Sequence, residues 1–183
     1  ENNFSALLNQ NSYTLNFATY NNNNTPDDNS DDTIESTTQT TTLSKVAFTE
    51  NPVHKTEILQ VNNQNVGYLM YNGFTGTDQF NAELNDIFST YKSANATELV
   101  LDLRYNPGGS VNTAILLSSL ITGQFTGDIF STEQWNAEFQ QALENENPEL
   151  LINRFVNNNE GAALNSLNLS RVFVLTTNSS ASA

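Results

Sequence analysis

The chain has 183 residues, with 20 Asp and Glu against 6 Lys and Arg, for a formal net charge of −14. So few bases cannot assemble a basic patch, which argues against nucleic acid as a partner. Cysteine is absent, which excludes disulfides and thiolate metal sites, and no run reaches the ~18 apolar residues of a membrane span.

The length suits one domain, or one domain and a piece of another. The first residue is Glu1 and not methionine, so a processed or trimmed chain is expected. A short helical candidate lies at Phe4-Ser5-Ala6-Leu7-Leu8. An alternating strand follows, with Tyr13, Leu15 and Phe17 on one face. Asn21 to Asp32 is polar and acidic and contains Pro26, the composition of a mobile loop. Thr33 to Thr49 is rich in Thr and β-branched residues and reads as an edge strand. These pieces hold too few apolar residues for a complete domain. Residues 1–50 therefore read as the end of a small β-rich module, joined to residues 51–183 through Asn51-Pro52.

Thr56–Val61 and Val66–Tyr71 read as paired strands around a turn at Asn62-Asn63-Gln64-Asn65. After Gly73-Phe74-Thr75-Gly76, Thr77 or Asp78 can cap a helix whose apolar face is Phe80, Leu84, Ile87, Phe88 and Tyr91. Leu99, Val100, Leu101 and Leu103 form the apolar run of a strand covered on both faces. Asn106-Pro107-Gly108-Gly109 is turn chemistry, and Ser110 can cap a helix over Val111–Ile121 that is apolar almost all round and so buried. Strand, helix, strand, helix implies βαβ units and an α/β (α+β) fold with a parallel or mixed sheet. A glycine turn between strand and helix presents backbone N–H groups at the positive end of the helix dipole. It suits a carboxylate, a phosphate or a developing oxyanion.

Residues 123–170 are punctuated by Gly123, Gly127 and Pro148. Trp135, Phe139 and Leu143 fit one amphipathic helix, and Leu150, Leu151 and Phe155 another. The block reads as a helical insert on the rim of the sheet, where a lid or substrate wall can sit. Val172–Leu175 reads as a second buried strand running into Thr176-Thr177-Asn178-Ser179-Ser180-Ala181-Ser182-Ala183. A buried strand, a turn of small residues and then serines is how α/β proteins present a nucleophile. The only histidine, His54, lies in a polar stretch and reads as a surface residue.

Leu99-Val100-Leu101-Asp102-Leu103-Arg104-Tyr105-Asn106-Pro107-Gly108-Gly109 resembles the LDLRxNPGG signature of the carboxyl-terminal-processing (tail-specific) serine peptidases. Val172 to Ala183 resembles that family's second signature, a strand leading into Ser-Ala-Ser-Ala-Ser-Glu. Val66-Gly67-Tyr68-Leu69 with Phe74 resembles its GYI-x-F strand, so the likeness spans residues 56–183.

The resemblance implies a Clp-protease/crotonase-like core preceded by a PDZ domain. Residues 1–50 would be the end of that domain: a last helix near Phe4–Leu8, then closing strands around Tyr13–Tyr20 and Thr33–Phe48. It implies Ser182 as nucleophile and Ser180 as flanking serine, with the backbone N–H groups of Ala183, Gly108 and Gly109 as the oxyanion hole. Asp102 and Arg104 match signature positions. Two apart in a strand, they share a face and can pair, a structural role.

The implied chemistry is acyl transfer by a Ser/Lys dyad, whose uncharged lysine takes the serine proton. Lys45, Lys55 and Lys92 precede the first signature and match no base position. The family's lysine belongs downstream of Ser182-Ala183, so these 183 residues are expected to be a fragment that is inactive alone. The implied partner is the C-terminal tail of a polypeptide, with no cofactor and no metal, in a bacterial cell envelope. One alternative is a non-catalytic relative in which the PDZ-like piece and the Asn-Pro-Gly-Gly turn hold a tail without cleaving it. A crotonase-like acyl-CoA enzyme would share the fold. The serine signature and the scarcity of bases for CoA phosphates disfavour it.

Overall fold

The computed structural model describes residues 5–180 and divides into two units, Glu1–Thr49 and Glu50–Ala183. In the first unit a helical turn, α1 (Ser5–Leu8), precedes strands β1 (Ser12–Asn21) and β2 (Thr33–Ser44). The strands form an antiparallel hairpin from Ser12↔Ser44 to Asn21↔Thr33, with a bulge between Asn16 and Ala18. The connecting loop, read from composition as mobile, carries its own hydrogen bonds. Thr25 Oγ1 donates to Asp31 Oδ1 at 2.9 Å and Ser30 N–H to Asp28 Oδ1 at 2.9 Å. Leu15, Phe17, Ile34 and Leu43 are all exposed. Among the described residues of this unit no second layer covers the apolar face of the two-stranded hairpin.

The second unit runs β3 (Val53–Val61), β4 (Gln64–Tyr71), α2 (Asp78–Ser93), β5 (Glu98–Asp102), α3 (Val111–Thr122), β6 (Ile129–Thr132), α4 (Ala137–Glu146), β7 (Ile152–Arg154), β8 (Asn158–Asn159), β9 (Ala162–Ala163) and β10 (Phe173–Leu175). Its main sheet has the order β10-β5-β4-β3. β3 and β4 are antiparallel, while β4, β5 and β10 run parallel. The β3–β4 turn is two residues rather than the expected four. Asn62 and Asn63 take φ of 49° and 63°, the doubly positive geometry of a primed hairpin turn, and Gln64 and Asn65 join the ladder.

The two helices bury the faces their patterns imply. Phe80, Leu84, Phe88 and Tyr91 of α2 are buried, as are Ile115, Leu116, Leu117, Leu120 and Ile121 of α3. Most of these pack with Leu69 and Tyr71 of β4 and Leu99 and Leu101 of β5 in one core. Each fully buried leucine contributes about 1.5–3 kcal/mol. Close approach of α2 to β4 requires Gly67, where a Cβ would lie 3.1 Å from the Tyr91 ring.

Two expectations need correction. β10 was expected to be buried, yet Phe173, Val174 and Leu175 are 45%, 47% and 40% exposed. It is an edge strand, with β5 on one side and no strand on the other among the described residues. The block at 123–170 is only partly helical. Its second expected helix is a 3-10 turn, Pro148–Leu151, that opens directly into β7, and β6 with β7 and β8 with β9 form two small antiparallel ladders. Asn147 accepts from Glu149 N–H and Pro148 starts the turn, but four residues are too few to propagate a helix. The block is tied to both helices. Ser119 Oγ accepts from Val156 N–H at 3.0 Å, and Asn85 Oδ1 accepts from Asn165 N–H at 2.8 Å.

Candidate active site

The site forms at the C-terminal ends of parallel strands, where open α/β sheets bind their ligands. β5 ends at Asp102, and the chain turns through Leu103 to Gly109 before Ser110 caps α3, its Oγ accepting from Thr113 N–H at 3.4 Å. Asn106, 1% exposed, organises this turn. Its Nδ2 donates to Tyr71 O at 2.9 Å and its Oδ1 accepts from Gly108 N–H at 2.8 Å. One carboxamide thereby fastens the turn to β4 and occupies the Gly108 N–H.

The segment after β4 runs alongside the glycines. Phe74 N–H donates to Gly108 O at 3.0 Å, and Phe74 O accepts from Ser110 N–H at 2.7 Å. Gly109 sits between these bonds with φ of 137°, and a Cβ there would lie 2.2 Å from Phe74 O. Only glycine fits. Gly108 is buried and Gly109 exposed. Among the described residues the Gly109 N–H meets no acceptor.

Asp102 is completely buried. Arg104 lies in the turn beyond the strand, not in the strand itself, and folds back on it. Nε donates to Asp102 Oδ1 at 3.0 Å and the terminal NH2 to Oδ2 at 2.8 Å, while Tyr68 Oη donates to Oδ2 at 2.7 Å. The Arg104 hydrogen bonds hold the Asp102 carboxyl down at about 2, against the opposing effect of burial. The same cluster raises the Tyr68 hydroxyl, chiefly through its bond to Asp102. A bidentate pair of this kind locks the strand end and leaves no proton to transfer near neutral pH.

The chain after β10 docks on this turn. Leu103 N–H donates to Leu175 O at 2.9 Å, and Thr177 Oγ1 to Arg104 O at 3.1 Å. Ser180 Oγ donates to Leu103 O at 2.8 Å and accepts from Thr177 N–H at 3.0 Å. Both of its hydrogen-bonding directions are used in holding two turns together, which makes it a latch rather than a reactive hydroxyl. Ser182 and Ala183, the candidate nucleophile and second oxyanion donor, lie outside the described residues.

Lys55, Lys92 and His54 sit elsewhere in this unit. Lys55 pairs with Glu57 at 3.1 Å on β3, the strand at the opposite edge of the sheet from β10. Lys92 lies in the last turn of α2, which leads to the start of β5 and not its end. His54 is an exposed residue of β3. Three residues that the sequence placed in the signature segments without a side-chain role, Asn106, Tyr68 and Thr177, hold the site together. An asparagine before Pro-Gly-Gly at a strand end is the signal for the first. Nothing local signals the other two, since their partners lie 34 and 73 residues away.

A family profile described as Peptidase family S41 matches residues 65–183. Among solved structures, a candidate S41 protease from Bacteroides fragilis NCTC 9343 is 28% identical with a TM-score of 0.60, over 95% of this chain and 43% of its own. A photosystem II D1 C-terminal processing protease is 19% identical with a TM-score of 0.43, over 82% of this chain and 34% of its own. The chain spans less than half the length of either structure. No curated protein matches it.

Proposed function

The chain belongs to peptidase family S41, and from that premise we propose that it carries the nucleophile and the anion-binding turn of a serine endopeptidase that cleaves polypeptides near their C-termini. One observation carries the reading. The two signature segments, remote in sequence, meet through the bonds of Thr177 and Ser180 to the Arg104 and Leu103 carbonyls. That contact joins the second signature, as far as Ser180, to the stem of the turn that carries the glycines.

In the proposed mechanism Ser182 Oγ attacks the scissile carbonyl. The carbonyl oxygen becomes an oxyanion held by the Gly109 N–H and the Ala183 N–H, and each such donor is worth about 2.7–4 kcal/mol of barrier. The Gly108 N–H, which the resemblance implies as a further donor, is instead bound by Asn106 Oδ1 at 2.8 Å and braces the turn. The general base is a lysine with a lowered pKa. No lysine of these 183 residues matches its position, so the isolated 183 residues are expected to be inactive. Collapse of the oxyanion expels the leaving amine, which takes the proton from that lysine, and water then hydrolyses the acyl-enzyme.

The same reading assigns the second unit to a Clp-protease/crotonase-like core and residues 1–50 to the end of a PDZ-like module that holds the substrate tail. It puts the enzyme in the bacterial cell envelope. The test is Ser182→Ala in the full-length protein. Cleavage of an unstructured polypeptide should vanish while the circular dichroism spectrum and melting temperature stay as they were. Retained cleavage would place the nucleophile elsewhere and overturn the reading.

A further inference from the structure

A cavity of about 480 Å³ is lined by Asn81 of α2, by Asn112, Ile115 and Leu116 at the start of α3, and by residues of the chain from Glu149 to Glu160. That volume falls within the range of ligand pockets. Its floor is apolar, made by Ile115 and Leu116 of α3, and its walls carry the carboxamides of Asn81, Asn112 and Asn159. Asn81 is engaged through Oδ1 by the Thr113 hydroxyl at 3.1 Å. Among the described residues the side chains of Asn112 and Asn159 make no hydrogen bond.

The position of the cavity matters as much as its lining. Asn112 follows Gly109 by three residues, in the first turn of α3, so the two lie within about 10 Å of each other. The start of α2 abuts the same place, where a Cβ on Gly76 would lie 3.0 Å from Ser110 Cβ. The lining from Glu149 to Glu160 is fixed rather than loose, because Val156 and Asn165 are tied to Ser119 and Asn85.

A carboxamide offers a donor and an acceptor side by side, the complement of a peptide group. Two unengaged carboxamides lining one cavity together with the apolar Ile115 and Leu116 suit an extended main chain with modest side chains. The charges narrow the choice. Glu149 and Arg154 neutralise each other at 2.9 Å, which leaves Glu160 as the uncompensated charge of the lining. A carboxylate side chain entering here meets like charge.

We propose that this cavity is a substrate subsite flanking the scissile bond, in which Asn112 and Asn159 hold the polypeptide main chain and Glu160 selects against acidic side chains. The proposal rests on the peptidase reading, and its test separates the two. In the full-length protein, Asn112→Leu with Asn159→Leu should raise KM for an uncharged, unstructured peptide about tenfold, with kcat within about twofold, as expected for losing hydrogen bonds of about 1.4 kcal/mol in sum. Glu160→Gln should raise kcat/KM for an aspartate-bearing peptide by a larger factor than for the uncharged one; an equal change for both would overturn the role of Glu160. In a Ser182→Ala background, fluorescence anisotropy of a fluorescein-labelled uncharged peptide should show the same weakening of binding by the asparagine pair. Unchanged KM and unchanged anisotropy would overturn the subsite while leaving the peptidase reading intact. Cleavage surviving Ser182→Ala would remove the peptidase reading, and anisotropy would still decide the subsite. If the leucine pair fails to fold, the alanine pair reads the same quantities.

Discussion

Asp102→Asn probes the charge pair that locks the end of β5. Asp102 is fully buried, while the side chain of its partner Arg104 is 45% exposed. The carboxyl sits at about 2 against an ordinary 3.8. At about 1.4 kcal/mol for each tenfold change in proton affinity, that difference is worth at most about 2.4 kcal/mol of folding free energy. Solvent around the guanidinium screens the pair and reduces this to about 1–2 kcal/mol. The sign follows from the direction of the shift. A depressed carboxyl contributes fully above its unfolded value of 3.8 and loses that contribution as the pH falls toward 2. Urea unfolding of the chain and of Asp102→Asn, in steps from about pH 6 to about pH 2.5, reads the effect. The variant should be less stable by about 1–2 kcal/mol at the upper end, and the gap should at least halve at the lower. A gap that stays constant would show that hydrogen-bond geometry at Tyr68 and Arg104, not charge, sets the stability.

Gly109→Ala places a Cβ 2.2 Å from Phe74 O at a φ of 137°, and should cost about 2 kcal/mol or more in thermal unfolding. Gly73→Ala meets nothing within 4 Å and should move stability by less than about 0.5 kcal/mol; similar melting of the two variants would refute the tight approach of Phe74 to the turn. Asn63→Gly relieves a φ of 63° in the β3–β4 turn and should raise stability by about 0.5 kcal/mol, read from the melting temperature. A lower melting temperature would contradict the primed turn.

Local pattern made much of the second unit legible. The stripe Phe80, Leu84, Phe88 and Tyr91 is buried at helical spacing, and the run Leu99 to Leu101 became the central strand β5. Ser110 caps α3 as its place after Gly-Gly implies. Pattern failed where neighbours decide. Phe173-Val174-Leu175 has the composition of a buried strand, but burial depends on what lies beside it, and here it forms an edge. Leu150 and Leu151 have apolar character without helical continuation, because Pro148 and the β-branched Ile152 confine them to a 3-10 turn before β7. The four-residue turn expected at Asn62 shortened to two because asparagine tolerates positive φ at both positions. At the site, periodicity says nothing of side-chain bonds across the sheet, so the grip of Asn106 on Tyr71 and of Tyr68 on Asp102 became visible only in three dimensions.

The two glycines of the turn, equivalent by motif, have different physical tasks. Gly108 is buried, and its N–H is consumed by Asn106, whose other end is fixed to β4. Gly109 is exposed, pinned from behind by the Phe74 carbonyl, with an N–H that no described residue accepts. A donor held by rigid neighbours costs no reorganisation when negative charge develops in front of it, so under the proposed mechanism Gly109 is the glycine suited to an oxyanion. The same rigidity explains why the second segment latches where it does. Thr177 and Ser180 bind the carbonyls of Leu103 and Arg104, the first residues of the turn, and not the glycines. The latch therefore fixes the incoming chain to the stem of the turn, and among the described residues nothing accepts from the Gly109 N–H.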